Sequence, residues 1–241
     1  INLMNKLFDN NISLDRNNHI YTLTSKPKIE FISATTFIDQ FFEKFDAIAI
    51  ATKLVNSSPK YMDKTVDDVL AIWRESADHG TKVHEELENY ILKKTPITEK
   101  KTVHGLKWLK NFILNGNFEI YPEVIIYDEN LKLCGTIDLL IKNMENNKFL
   151  ILDWKTSKLI NKKSYNKKVG IHAASKNIED SKFNHYSLQL SLYRFLLEKF
   201  YGLEIYTQSI LHLKEHECKE ENTPYMKDDI INMINSNLIS N

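Results

Sequence analysis

The chain has 241 residues, 42% hydrophobic and 11% aromatic, with 32 basic against 32 acidic side chains. That composition supports a folded core, excludes a disordered or collagen-like chain, and gives no overall charge to draw the protein to polyanions. No apolar run approaches the roughly 20 residues of a membrane span, and Cys134 and Cys218 are too few for a disulfide framework, a four-thiolate zinc site or an iron–sulfur cluster. The opening INLMNKLFDNN lacks the basic and apolar blocks of a signal peptide, so an intracellular, thiol-reducing setting with no membrane partner is expected.

Residues 19–33 (HIYTLTSKPKIEFIS) read as a short β-hairpin interrupted by Lys26-Pro27-Lys28, leading into a helix over 35–54 with Ser33 and Thr35 as N-cap candidates. Helices are predicted over 66–92 and 100–114, the latter with Leu106, Leu109, Ile113 and Leu114 as its apolar stripe. Strands follow at 119–127, 132–142 and 148–156, then a helix at 184–200, a strand at 204–213 and a last helix at 225–234. No Pro/Gly/Ser-rich linker interrupts this series, so residues 1–241 read as one domain, with a hairpin and helices over 1–115 and a sheet core over 116–241. The order implies an α/β fold of the α+β kind: a mixed sheet covered by helices on both faces.

The most informative stretch is Leu131 to Lys158, LKLCGTIDLLIKNMENNKFLILDWKTSK. Two apolar runs flank a polar turn centred near Glu145, which sets Asp138 opposite Asp153 on neighbouring antiparallel strands. Side chains alternate along a strand, so Asp153 and Lys155 share one face while Leu152 and Trp154 take the other. Opposed carboxylates with Cβ atoms about 5 Å apart destabilise a sheet unless positive charge lies between them. A divalent cation supplies that charge. Beyond Lys155 the chain turns basic: eight lysines between residues 155 and 182, among them Lys158, Lys162, Lys163, Lys167 and Lys168, face only Glu179 and Asp180, a local excess of +6. Such runs are commonly solvated loops, but one that begins at a cluster of carboxylates is a candidate nucleic-acid contact.

Five motifs occur in order: Gly80-Thr81-Lys82-Val83-His84, Pro122-Glu123, Gly135-Thr136-Ile137-Asp138, Asp153-Trp154-Lys155-Thr156-Ser157-Lys158 and Gln189-Leu190-Ser191-Leu192-Tyr193. Together they resemble the PD-(D/E)xK nuclease superfamily, specifically its RecB-like exonuclease branch, over most of the chain. The resemblance departs from the superfamily's literal motif, because Leu152-Asp153 precedes the lysine segment and the first acid is the separate Asp138. It implies a restriction-endonuclease-like αβββαβ core and a metal-dependent DNA exonuclease, acting at DNA ends in phage-type recombination, repair or genome maintenance. Asp138 and Asp153 would then hold Mg²⁺ or Mn²⁺ through hard oxygen ligands, with His84 completing the shell and Glu88, one helical turn on, as an outer partner. Lys155 would stabilise charge on the attacked phosphate, staying protonated beside two carboxylates. Glu123 matches an acidic position of the branch, and Gln189 and Tyr193, at i and i+4, match its Q-x-x-x-Y motif and would brace the ligands or touch the nucleic-acid backbone.

Ser33 and Thr35 open a helix, a natural phosphate site, although ordinary capping explains them equally well. Tyr165, Phe183 and Tyr186, near the basic run, are candidates for stacking on unpaired bases. The implied partner is DNA, single-stranded or with free ends. Two alternatives stay open: a structure- or site-specific endonuclease of the same superfamily, and a catalytically silent DNA-binding protein.

Overall fold

A computed structural model describes residues 6–236, and its first strands, β1 (Ile12–Asp15) and β2 (Ile20–Leu23), form a separate antiparallel pair. The Asp15 carboxylate accepts the amide protons of Asn17 and Asn18 and so shapes the turn between them. Residues 20–23 therefore pair backwards, rather than forwards across Lys26-Pro27-Lys28 as the sequence suggested. Further on, β3 (Ile32–Ser33) joins the main sheet instead.

The single helix expected over 35–54 is two, α1 (Ala34–Asp39) and α2 (Ala47–Ser57). Phe41 and Phe42 follow α1 and are both buried, which turns the chain into the core, and Asp46 starts α2 by accepting the Ala49 amide proton. The long helix α3 (Val66–Lys93) opens on a capping box formed by Thr65 and Asp68, and α4 (Lys100–Leu114) has the predicted bounds. The core then runs β4 (Phe118–Asp128), β5 (Leu133–Asn143), β6 (Phe149–Lys155), α5 (Lys182–Phe200) and β7 (Ile205–Leu213). Two last elements follow, β8 (Cys218–Asn222) and α6 (Lys227–Asn235). Strand β8, CKEEN, has no apolar alternation to announce it; it is a charged edge strand, of the kind that blocks further pairing.

Strands β4, β5 and β6 pair antiparallel, β6 and β7 parallel, and β7 and β8 antiparallel. The result is the mixed α/β sheet and the helix–three strands–helix–strand order read from the sequence. Leu139, Leu150, Leu152 and Trp154 pack with Val83, Leu87 and Leu109 of α3 and α4; Leu140, Phe149 and Ile151 pack with Leu188, Leu192 and Leu196 of α5. Ile137 belongs to the α5 side. Among the described residues, no helix is long and apolar enough to cross a membrane.

One irregularity positions the site. Strand β4 follows β5 along its whole length on one edge, whereas the other edge is shared: β6 pairs with it only from Leu139 to Lys142, and β3 pairs with it at Leu133 and Cys134. Between those segments the sheet forks, leaving Gly135 to Asp138 without a backbone partner on that edge. The Asp138 carboxylate enters the fork and accepts the Trp154 amide proton at 2.8 Å, taking the place of a β5 carbonyl.

Candidate active site

Three neighbouring strands deliver one carboxylate each at the level of the fork. Asp153 lies one step beyond the last β5–β6 pair, Leu139–Leu152, and so faces Asp138, as the sequence required. Glu123 lies between the pairs Pro122–Leu139 and Val124–Ile137 and so faces Asp138 from the other side. It holds a left-handed backbone (φ 51°) in the middle of β4, a conformation that persists only where its surroundings impose it.

The pair Asp138 and Asp153 is nearly enclosed, with side chains 13% and 3% exposed. Burial, followed by the charge of Asp153, pushes the Asp138 carboxyl up to about 6, against the pull of His84, Lys155 and the Trp154 amide. Burial likewise pushes Glu123 up to about 8, reinforced by Asp138 and Glu88 and opposed by Arg16. These acids are crowded beyond what the neighbouring cations offset.

Lys155 Nζ stands 2.6 Å from Asp153 Oδ2, and this enclosed oxygen has no other polar partner among the described residues. The ammonium also donates to Gln189 Oε1 at 3.2 Å, and Gln189 Nε2 donates to the Tyr193 hydroxyl at 3.0 Å. Burial works against the charge of Lys155, but Asp153 and Asp138 outweigh it and raise its pKa, so the amine is protonated. Gln189 thus braces the lysine rather than the carboxylates. Tyr193 is buried against Gly135, where any Cβ would overlap its ring.

Helix α3 passes the end of β6 at Gly80, where a Cβ would lie 2.7 Å from Thr156 Oγ1, and carries His84 to 3.6 Å from Asp138 Oδ2. His84, Asp138 and Asp153 are therefore brought together. They do not form a finished cage: among the described residues no three His, Cys, Asp or Glu side chains stand in a metal-binding arrangement. The Trp154 amide and the Lys155 ammonium occupy the carboxylate oxygens' near surroundings.

Other candidates have partners of their own. Glu88, expected as an outer partner of the ion, is held by Arg16: from the β1–β2 turn, Arg16 grips both of its oxygens at 2.7 Å and comes within 3.7 Å of Glu123. Ser33 is buried, and its hydroxyl accepts the Thr36 amide proton as a helix cap, while Thr35 is exposed beside it. Both nevertheless line an open cleft of about 170 Å³, with Tyr21, Gly135, Thr136, Gln189 and Tyr193, that lies against the fork. In the basic segment Lys162, Lys163 and Lys168 have acidic neighbours in Glu221, Glu179 and Glu43. Lys158 and Lys167 are exposed with no acidic neighbour among the described residues.

Sequence reading passed over Arg16 and the bracing role of Tyr186, whose ring centroid is 4.4 Å from Lys155 Nζ. Arg16 had one faint signal, being one of three arginines in a chain with 29 lysines. Nothing local ties it to a helix 72 residues away.

No family model matches the chain, and no curated protein is similar to it. Among solved structures, one described as "Crystal structure of SSO0001" is similar, at 16% identity and a TM-score of 0.37, over 84% of this chain and 72% of that one.

Proposed function

We propose that this chain is a Mg²⁺- or Mn²⁺-dependent deoxyribonuclease that hydrolyses phosphodiester bonds at DNA ends, in the manner of the RecB-like branch of the PD-(D/E)xK nucleases. The observation that carries the reading is the enclosed pair of Asp153 and Asp138 carboxylates facing each other, with the protonated Lys155 as the one partner of Asp153 Oδ2. Buried carboxylates crowded past their local cations fit a divalent ion, and an all-oxygen set with one imidazole suits Mg²⁺ or Mn²⁺. Asp138, Asp153 and His84 would hold it. When bound, the ion supplies the missing positive charge and lowers the pKa of the attacking water.

The chain's own groups do the rest. Lys155, kept protonated by its two carboxylates, serves as a fixed positive charge for the phosphate in the transition state and not as a general base. Gln189 and Tyr193 hold its direction. Glu123 keeps the row of acids continuous on the far side of Asp138. The lysine-rich segment after β6, Lys158 and Lys167 foremost, gives the DNA backbone a sequence-independent hold next to the fork.

End-labelled single- and double-stranded oligonucleotides incubated with Mg²⁺ or Mn²⁺ test this reading. Laddered products that vanish in EDTA and in Asp153→Ala are expected; undiminished digestion by Asp153→Ala refutes it. A covalently closed circle should remain intact, and its cleavage would point to an endonuclease.

A further inference from the structure

An ammonium group has three protons to place, and two partners account for only part of the surroundings of Lys155. Asp153 lies on one side and Gln189 on a second. On a third the ring of Tyr186 presents its face, with the centroid 4.4 Å from Nζ, well inside the range of a cation–π contact. Tyr186, Gln189 and Tyr193 stand at i, i+3 and i+7 of α5, so a single helical stripe faces the fork.

The far end of that ring is also fixed. Its hydroxyl shares a hydrogen bond of 2.9 Å with Ser157 Oγ, in the loop that leaves β6. Buried His212 contacts the Ser157 carbonyl at 2.6 Å through Nε2, and Lys101 donates to the Thr156 carbonyl at 3.0 Å. The ring is held by a loop that is itself held twice, and its free face is aimed at the lysine. A tyrosine free to stack on a nucleobase has neither restraint.

We infer that Tyr186 is a positioning residue for Lys155: its ring face fixes the ammonium against Asp153 and Gln189, and its hydroxyl hitches the ring to Ser157. The inference deepens the nuclease reading and rests on it for the catalytic consequence, while the Tyr186–Lys155 contact can be measured without any activity. It also removes Tyr186 from the candidates for base stacking.

Two measurements test it. In protein labelled with ¹³Cε-lysine, the Lys155 signal, assigned through Lys155→Arg, should be displaced upfield from the exposed lysines by the ring current. The displacement should persist in Tyr186→Phe, shrink in Ser157→Ala and disappear in Tyr186→Leu. In steady-state cleavage of an oligonucleotide, Tyr186→Leu should lower kcat about tenfold with KM little changed, and Tyr186→Phe should recover most of the loss. A Lys155 signal at the exposed-lysine position in the unmodified protein overturns the contact, whatever the variants do. A displaced signal combined with a Tyr186→Leu effect confined to KM overturns the positioning role and makes the ring a substrate contact. If the unmodified protein cleaves nothing, the nuclease reading fails, and the spectrum still decides whether the ring holds the lysine.

Discussion

Replacing Asp138 by asparagine should make the metal-free protein more stable while abolishing cleavage. In the folded chain Asp138 faces Asp153 and Glu123 and is almost enclosed, which raises its carboxyl from 3.8 to about 6. At about 1.4 kcal/mol for each pH unit, that rise corresponds to about 3 kcal/mol of lost stability at pH 7.5. The sign follows from the order of ionisation. Below pH 3.8 both states hold the proton and nothing is lost; between 3.8 and about 6 the unfolded chain ionises first and stability falls; above that the loss is constant. By the same relation the loss at pH 4.5 is only about 1 kcal/mol. Asparagine can still accept the Trp154 amide proton through its Oδ1, so the substitution removes the charge and keeps the bond. Thermal melts in EDTA should therefore show Asp138→Asn above the unmodified protein by several degrees at pH 7.5 and by much less at pH 4.5. Added Mn²⁺ should raise the melting temperature of the unmodified protein and leave that of the variant nearly unchanged. A variant that melts at or below the unmodified protein at pH 7.5 would show that the carboxylates are not crowded as described.

Further outcomes follow from single contacts. Lys155→Ala should reduce kcat by two orders of magnitude or more without preventing Mn²⁺ binding, which calorimetry can read separately. Arg16→Gln should leave Glu88 and Glu123 unneutralised and lower the melting temperature in EDTA; because Arg16 is half exposed, the loss should stay near 1 kcal/mol, and no loss would mean the clamp is ornamental. Gly135→Ala, forced against the buried ring of Tyr193, should destabilise by several kcal/mol, whereas Gly80→Ala meets only a rotatable threonine hydroxyl and should cost far less; urea titrations of both would rank them. Lys158→Glu with Lys167→Glu should weaken DNA binding evenly across sequences and flatten its salt dependence, read by fluorescence anisotropy.

Local pattern determined most of the core. The apolar runs on either side of Asn143 to Lys148 allowed one hairpin register, and alternation then put Asp153 and Lys155 together, because a strand's period of two leaves no freedom once one face is buried. Helix α4 and strands β4 to β7 lie within two residues of their expected bounds for the same reason. Where the chain had to choose between partners of similar local merit, sequence alone misled. Residues 20–23 were apolar enough to pair in either direction, and the choice fell to the Asp15 turn and to the burial of Tyr21 and Leu23 under β4 and β5. The helix over 35–54 broke because Phe41 and Phe42 found the core, which no helical period reveals. The fork between β3 and β6, the grip of Arg16 on Glu88 and the ring of Tyr186 over Lys155 join residues at least 31 positions apart in the chain (155 to 186), brought together by packing and not by spacing. The residue types of the site were legible because two carboxylates and a lysine at fixed strand positions carry their own electrostatic demand; their bracing was not, since it depends on surfaces that exist only after the sheet has closed on its helices.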